Sequence, residues 1–280
     1  MKFANMHLHS TFSDAGFTPE QLVLIGKSLG YKALILTDHE TDGGCKSFLR
    51  HAARNEVETF YGAEFYAKID GRPIHLTALD YDPENAGIRA FIEERCRLQA
   101  EWVKLCVETG LERGYIEGIT WDDVVYYGGE NAWLCTDSLF LALRLKKAIP
   151  EQGLTFVRQM VMRDPELKLK KAPHPTAEEV IRIVRNAGGV IALAHPAEGF
   201  EGFLGKLVDA GLNGIEVDHP QLPEERLVLC QEAAKTYNLY PCGGTDHTGP
   251  MSCCGGNRAI PVFNGITEEE FYTLKERKLG

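Results

Sequence analysis

The sequence predicts an α/β protein built as a closed β/α barrel and interrupted by an all-helical insertion. Three observations predict this class. Strand-like segments alternate with amphipathic helical stretches before about residue 84 and again over 176–280, the rhythm of successive βα units. Over residues 84–175 the strand alternation disappears and helical spacing takes over. Neither a G-x-G-x-x-G nor a Walker loop is present, and either would favour an open doubly wound sheet.

In chain order, FANMHLH is a period-2 strand that puts Asn5, His7 and His9 on one face. TPEQLVLIGKSLG follows as a helix, with Thr18 as N-cap, Pro19 in the first turn, Gln21 completing a capping box and Gly30 ending it. YKALILTDHE is nearly all apolar, as expected of a parallel strand covered on both faces. TFYGAEFYAKI and PIHLTALDY come next, joined by Asp70-Gly71, a hairpin signal. In the insertion, Ile88, Phe91, Ile92, Arg95, Leu98, Trp102 and Leu105 recur at helical spacing, and ITWDDVVYYG and TDSLFLALRLKKAI are helical too. PTAEEVIRIVRNAGG restarts the βα rhythm with a Thr176/Glu179 capping box and a glycine stop. GVIALAHP, GLNGIEVDHP and LYPCGGTDH are the remaining strands, and ITEEEFYTLKERKLG is a capped closing helix.

Forty acidic against thirty basic side chains give a formal net charge of −10. Long polyanions are held by neutralising phosphates with Lys and Arg, so no long nucleic acid is expected as partner. A small phosphorylated substrate remains compatible, because bound divalent cations reverse the local field. No apolar run approaches the roughly 20 residues that span a bilayer. MKFANMHLHS lacks the apolar core of a signal peptide. A cytoplasmic protein without membrane contact is expected. Cysteines 45, 96, 106, 135, 230, 242, 253 and 254 form no C-x-x-C pair and are read as reduced thiols. The vicinal Cys253 and Cys254 follow Asp246 and His247 closely enough to line the same cavity.

Candidate metal ligands fall on the strands, not in the helices. His7 and His9 end the first strand, His39 the second, and Glu64 and His75 lie on the third and fourth. His195 terminates GVIALAHP, and Asp246 with His247 terminates the last strand. The downstream rim is where the loops of a β/α barrel converge. A single histidine there is ordinarily a hydrogen-bonded core or surface side chain. Glu64, set in the aromatic strand FYGAEFY, is costly to bury without an opposite charge, and a divalent cation supplies one. Imidazoles and carboxylates without thiolate suit Zn, Mn or Fe. The donors outnumber the roughly four to six that one ion takes, so at least two ions with a bridging carboxylate are expected. Such a pair, about 3.5–4 Å apart, clamps an in-line displacement at phosphorus while one ion activates water.

These residues also carry a family resemblance. HLHSTFSD (7–14), LTDHE (36–40), GAE (62–64), IHL (74–76), LAHP (193–196), GIEV (214–217) and GGTDH (243–247) stand in an order and spacing that resembles the PHP (polymerase and histidinol phosphatase) superfamily of metal-dependent phosphoesterases. The likeness runs along essentially the whole chain, insertion included. It implies a distorted (β/α)7 TIM-like barrel, here residues 1–83 plus 176–280, with the helical insertion 84–175 covering the active-site rim. It implies His7, His9, Glu64 and Asp246 as ligands of a first metal, with Glu64 bridging to a second held by His75 and His195. Asp14, His39 and His247 match positions that hold a third metal in some members, and a metal-bridging hydroxide is the implied nucleophile. There are two departures. Asn5 stands where the family usually has Asp, and Asp246 and His247 are adjacent where the family usually spaces them by one residue. Neighbours on a regular strand face opposite sides, so His247 reaches the site only if the chain has already turned.

Substrate contacts are sought among the remaining charges. Arg258 in GGNRAIP suits bidentate phosphate binding, Arg144, Lys170 and Lys171 could reach over the rim from the insertion, and His219 in EVDHP is a candidate substrate contact or general acid. The leading expectation is a phosphoesterase acting on a nucleotide, nucleotide bisphosphate, sugar phosphate or cyclic phosphodiester. One competing reading is an amidohydrolase-type enzyme cleaving an amide or lactone, which shares the His-x-His strand but often bridges its metals with a carboxylated lysine. The other is a PHP module acting on nucleic acid, which the acidic charge disfavours.

Overall fold

The computed structural model describes residues 2–129, 133–248 and 264–277, a mixed α/β fold. Strands β1 (Ala4–Asn5) and β2 (Ala33–Leu34) form a short parallel ladder. A second sheet has the order β3 (Gly62–Ile69), β4 (Arg72–Leu79), β5 (Val190–Leu193), β6 (Gly214–Asp218) and β7 (Tyr240–Gly243). Single bridges tie the two together. Leu8 pairs with His247 past β7, and Ala33 and His39 pair with Glu58 and Glu64 along the approach to β3. The first two strands are therefore shorter as ladders than their apolar segments suggest.

The direction of β4 departs from a simple run of parallel βα units. Asp70 and Gly71, at φ 50° and 76°, turn the chain back as the hairpin signal predicts, and β4 lies antiparallel to both β3 and β5. This changes where two expected ligands stand. Glu64 is near the start of β3 and His75 is inside β4, not at strand ends. They still reach the same level. Pairing with the β2 segment runs from Glu58 to Glu64, so β3 continues past His39 before turning, and β4 brings His75 back opposite Tyr66.

The helices follow the local signals. α1 (Pro19–Ser28) starts at a Thr18 capping box closed by Gln21 and is followed by Gly30 at φ 95°. α2 (Cys45–Arg54) leads to β3. Between β4 and β5 the described residues hold α3 (Ala86–Glu112), α4 (Trp121–Gly128), α5 (Thr136–Leu145), α6 (Gly153–Val157), a π-helical stretch Arg158–Met162 and α7 (Pro165–Lys170), with no strand among them. α8 (Ala177–Asn186), capped by Thr176, α9 (Glu201–Asp209), α10 (Glu224–Thr236) and α11 (Glu268–Lys275) complete the chain. None of the described helices is long and apolar enough to cross a membrane.

Apolar side chains on alternate strand positions feed different cores. Leu34 and Leu36 pack with Leu22, Val23 and Phe48 of α1 and α2. Ala33 and Ile35 pack with Val190, Ala192, Tyr240 and Phe271. Phe65, Leu76, Ile191 and Ile215 pack under α8 and α9. The helices from α3 to α7 share a core of their own, built around Trp102, Val107, Leu139, Leu143 and Val157. Polar links join these helices to the loops that follow β1 and β2. Trp133 donates its backbone N–H to the Phe12 carbonyl at 2.9 Å. Arg95 of α3 donates Nε to Glu40 Oε2 at 2.5 Å, and Glu40 Oε1 accepts the backbone N–H of Tyr66 at 2.7 Å.

Gly244 is where β1 and the end of β7 approach most tightly. A Cβ there would lie 2.4 Å from the His7 backbone nitrogen and 2.7 Å from Asn5 Oδ1. Backbone cannot rotate away, so Gly244→Ala should cost about 1–3 kcal/mol, the usual scale of overpacking, and lower the thermal midpoint. Gly202 on α9, with open space around its would-be Cβ, is the contrast. Gly202→Ala should stabilise by roughly 0.5–1 kcal/mol through reduced chain entropy, so equal melting curves for the two variants would refute the packing account.

Candidate metal centre

Glu64 is the hub. It is fully buried, and its two oxygens address different partners. Oε1 lies 2.9 Å from His75 Nδ1 and 3.0 Å from His195 Nε2. Oε2 lies 3.0 Å from His39 Nδ1, 3.3 Å from His9 Nε2 and 3.4 Å from His7 Nε2. None of the Oε2 approaches has hydrogen-bond alignment: Oε2 and His39 Nδ1 are both buried without a hydrogen-bond partner. Asp246 faces the same group, with Oδ1 3.1 Å from His9 Nε2 and 3.7 Å from His7 Nε2.

The spacing of these donors fits metal ligation. Two nitrogen ligands about 2.0–2.1 Å from one tetrahedral ion stand roughly 3.3 Å apart. His7 Nε2 and His9 Nε2 are 3.1 Å apart, as are His75 Nδ1 and His195 Nε2. Among the described residues four groups of three converging donors result: His7, His9, Asp246; His9, His39, Glu64; Glu64, His75, His195; and His7, Glu216, His219. The His7 and His9 side chains are wholly buried, whereas His75 and His195 keep 27% and 25% of theirs exposed. The site thus opens to solvent on the His75/His195 side.

Charge points the same way. Burial raises the Glu64 pKa, but His7, His39 and His75 outweigh it and hold the carboxylate well below its usual range. Asp246 is likewise depressed, with His219 and His9 outweighing burial. Burial opposes protonation of His9, yet Asp246 and Glu64 lift its pKa to about 10. His7 is raised well above its ordinary value against burial by Glu216 and Glu64. The carboxylates therefore stay charged and demand positive charge from their neighbours. Divalent cations meet that demand in place of imidazole protons.

Backbone turns aim two of the donors. His195 has φ 29° and Asp246 φ 47°, conformations that cost free energy outside glycine and gather at functional sites. The turn at Asp246 accounts for its pairing with the His9 group. His247 bridges Leu8, which packs outward with α1 and α2, and its ring stacks on Phe17 at 5.5 Å. The structure brings His247 into none of the four donor groups. Asp14 does approach, 3.8 Å from both His39 Nε2 and His9 Nδ1.

His219 is buried beside Asp246, its Nε2 3.5 Å from Oδ2. Its Nδ1 accepts the Gln221 backbone N–H at 3.2 Å, so a neutral ring carries its proton on Nε2. Among the charges sought for substrate, Lys171 is half-buried over the Trp102 ring at 4.7 Å, with its pKa lowered by burial and then by Arg95. Lys170 is exposed and pairs with Glu166 at 2.9 Å, and Arg144 is exposed at the end of α5. Among the described residues neither makes an ion pair with the donor groups. Arg258, Cys253 and Cys254 lie outside the described residues.

Sequence reasoning missed the carboxylates that hold the ligands. Glu216 Oε1 sits 2.7 Å from His7 Nδ1, and its Oε2 accepts the His195 backbone N–H at 2.6 Å. Burial raises the Glu216 pKa, but His7 outweighs it and keeps the group ionised, so His7 Nδ1 donates and its Nε2 lone pair is turned toward His9. The signal was present, since Glu216 in GIEVD is a charge among apolar strand residues, as Glu64 is. Asp38, fully buried, accepts Ser10 N–H, Ser10 Oγ–H and Ser13 Oγ–H at 2.7, 2.6 and 2.6 Å and fixes the loop after His9. Asn5 accepts N–H from His7 and Thr245, both at 3.2 Å, and donates to Thr245 Oγ1 at 2.9 Å. It pins backbone and touches no donor ring.

A PHP domain model matches residues 5–240. The chain belongs to the PHP family. A phosphoribosyl 1,2-cyclic phosphate 1,2-diphosphodiesterase of Eggerthella lenta is 27% identical over 252 residues, covering 88% of this chain and 94% of the relative. A 5′-3′ exoribonuclease of Haemophilus influenzae is 28% identical over 263 residues, covering 90% of each. A 3′,5′-nucleoside bisphosphate phosphatase of Chromobacterium violaceum is 23% identical, covering 88% and 87%. Among solved structures, a candidate metal-dependent phosphoesterase of Bifidobacterium adolescentis superposes with TM-score 0.80 at 24% identity over 99% of this PHP chain and 96% of that one. These relatives are named as hydrolases of phosphoric esters. Two of the names fit the small substrate expected from the sequence. The exoribonuclease name attaches RNA to a PHP relative of similar extent, which the charge argument disfavours.

Two outcomes follow from the ligand geometry. Glu216→Ala should weaken Mn²⁺ binding about 10- to 100-fold, the scale for losing a carboxylate that orients a metal-binding histidine, with Glu216→Gln milder; unchanged titration calorimetry would refute the orienting role. Proton competition sets the second. With His9 at about 10 in the metal-free site, loading displaces a proton, so affinity should rise by about tenfold per pH unit between pH 6 and 8 for each proton released. A pH-independent affinity would show that no such proton is displaced.

Proposed function

We propose that this PHP protein is a metal-dependent phosphoesterase that hydrolyses a small phosphorylated metabolite on at least two divalent ions. The observation that carries the reading is the split of Glu64, one oxygen toward His7, His9 and His39 and the other toward His75 and His195. A carboxylate so placed suits a bridge between two ions. His7, His9 and Asp246 would complete the first ion's set, and His75 and His195 the second's. Asp14 and His39 offer a further position. Bound there, divalent cations of the Mn, Zn or Fe type neutralise charge on a phosphoryl group and lower the pKa of water toward neutrality.

The chain's own residues supply the rest. The open His75/His195 side admits the ester, while buried His7 and His9 exclude water behind it. His219, with Nε2–H beside Asp246, is positioned to give a proton to a departing oxygen. The seven strands are read as closing into a distorted barrel through the bridges at Leu8–His247 and His39–Glu64. Residues 84–175 are read as an insertion that covers the mouth, on the support of the Trp133–Phe12 and Arg95–Glu40 links. Glu64 stands where the amidohydrolase reading needs a carboxylated lysine, which favours the phosphoesterase. The exoribonuclease names among full-length relatives support a second reading, in which the ester is the 5′ end of an RNA.

Phosphate or product release should be measured with Mn²⁺ on nucleoside bisphosphates, sugar phosphates, cyclic phosphodiesters and a 5′-phosphorylated oligoribonucleotide. Turnover of at least one class is expected, lost with chelator and reduced at least about a hundredfold by Glu64→Ala. Metal-restored protein inert toward every ester would overturn the reading. Preference for the oligoribonucleotide would select its second form.

A further inference from the structure

Trp133 is a buried donor with no acceptor among the described residues. Its side chain comes from the segment between α4 and α5 and is 6% exposed, and its backbone is fixed by the 2.9 Å bond to Phe12. Its ring lies 5.6 Å from that of His39 and 5.8 Å from that of Tyr66. Tyr66 in turn stacks on His39 at 4.8 Å and meets His75 edge-on at 4.5 Å. The indole Nε1–H is buried and has no hydrogen-bond partner among the described residues. The Nδ1 of His174, whose ring touches the same Tyr66 at 5.2 Å, is buried without one too.

An indole nitrogen only donates, and folded proteins seldom leave such a donor unpaired unless a ligand or water completes it. A cation cannot complete it, because N–H offers no lone pair. The species that cations at Glu64 and the unpaired N–H of a ring neighbouring His39 would both attract is an anion. The geometry points to Trp133 as a substrate-positioning residue whose indole N–H donates to an anionic oxygen of the phosphoryl group. This rests on the phosphoesterase reading and deepens it, since it assigns part of substrate recognition to the helical segment. A hydrogen bond to a charged oxygen is stronger than a neutral one, so its loss should be visible in binding.

The test uses the Mn²⁺-loaded full chain and inorganic phosphate as probe, measured by calorimetry, with Trp133→Phe keeping an aromatic ring and removing the N–H. Phosphate affinity should fall about tenfold or more, with metal content and thermal midpoint unchanged. For any ester turned over, KM should rise by a similar factor while kcat changes less than twofold. Equal phosphate affinity in the two proteins overturns the assignment, as does a native protein that binds no phosphate. Lost metal in Trp133→Phe also overturns it, by making Trp133 a support for His39. A native protein that binds phosphate, loses it on substitution and hydrolyses no ester would keep this contact while removing the function proposed above.

Discussion

Burying one carboxylate sets most of this structure's terms. Glu64 is wholly removed from water, and a lone ion so placed costs several kcal/mol unless neighbours compensate it. Five imidazoles answer, from four separate stretches of chain, each within about 3.4 Å of one of its oxygens. Meeting that demand requires strands far apart in sequence to bring their donors to one level. The bridges at Leu8–His247 and His39–Glu64 do this. The fold can be viewed as the scaffold that allows so much donor density in a small volume, and the positive charge it calls for is what divalent ions bring.

The support around the donors is as specific as the donors. Glu216 fixes which His7 nitrogen faces inward, Asp38 gathers three donors from the loop after His9, and Asn5 joins the two backbones that carry His7 and Thr245. A site held this way is preorganised. The left-handed turns at His195 and Asp246 belong to the same account. Their cost is offset by the contacts they allow, and a relaxed backbone would point both side chains elsewhere.

Local features were legible in the sequence because their causes are local. Thr18, Gln21 and Gly30 bound α1 as their chemistry predicts, and Asp70-Gly71 turns the hairpin. The convergence of His7, His9, His39, Glu64, His75, His195 and Asp246 was legible from donor type and strand placement together. Other features depend on pairings that no short window contains. The antiparallel course of β4, which puts His75 inside a strand, follows from the hairpin but shows only in the register. Which side His247 takes depends on one positive φ, at Asp246. Glu216 was overlooked although it obeys the reasoning that singled out Glu64: its partner lies 209 positions away.

The Arg95–Glu40 contact has a mechanical consequence. Glu40 holds Arg95 on α3 with one oxygen and the Tyr66 backbone with the other, and Tyr66 is two residues beyond Glu64 on the same strand. A displacement of the long helix would therefore pull on the stave that carries the central carboxylate, so the pose of α3 and the aim of Glu64 are strung on a single line.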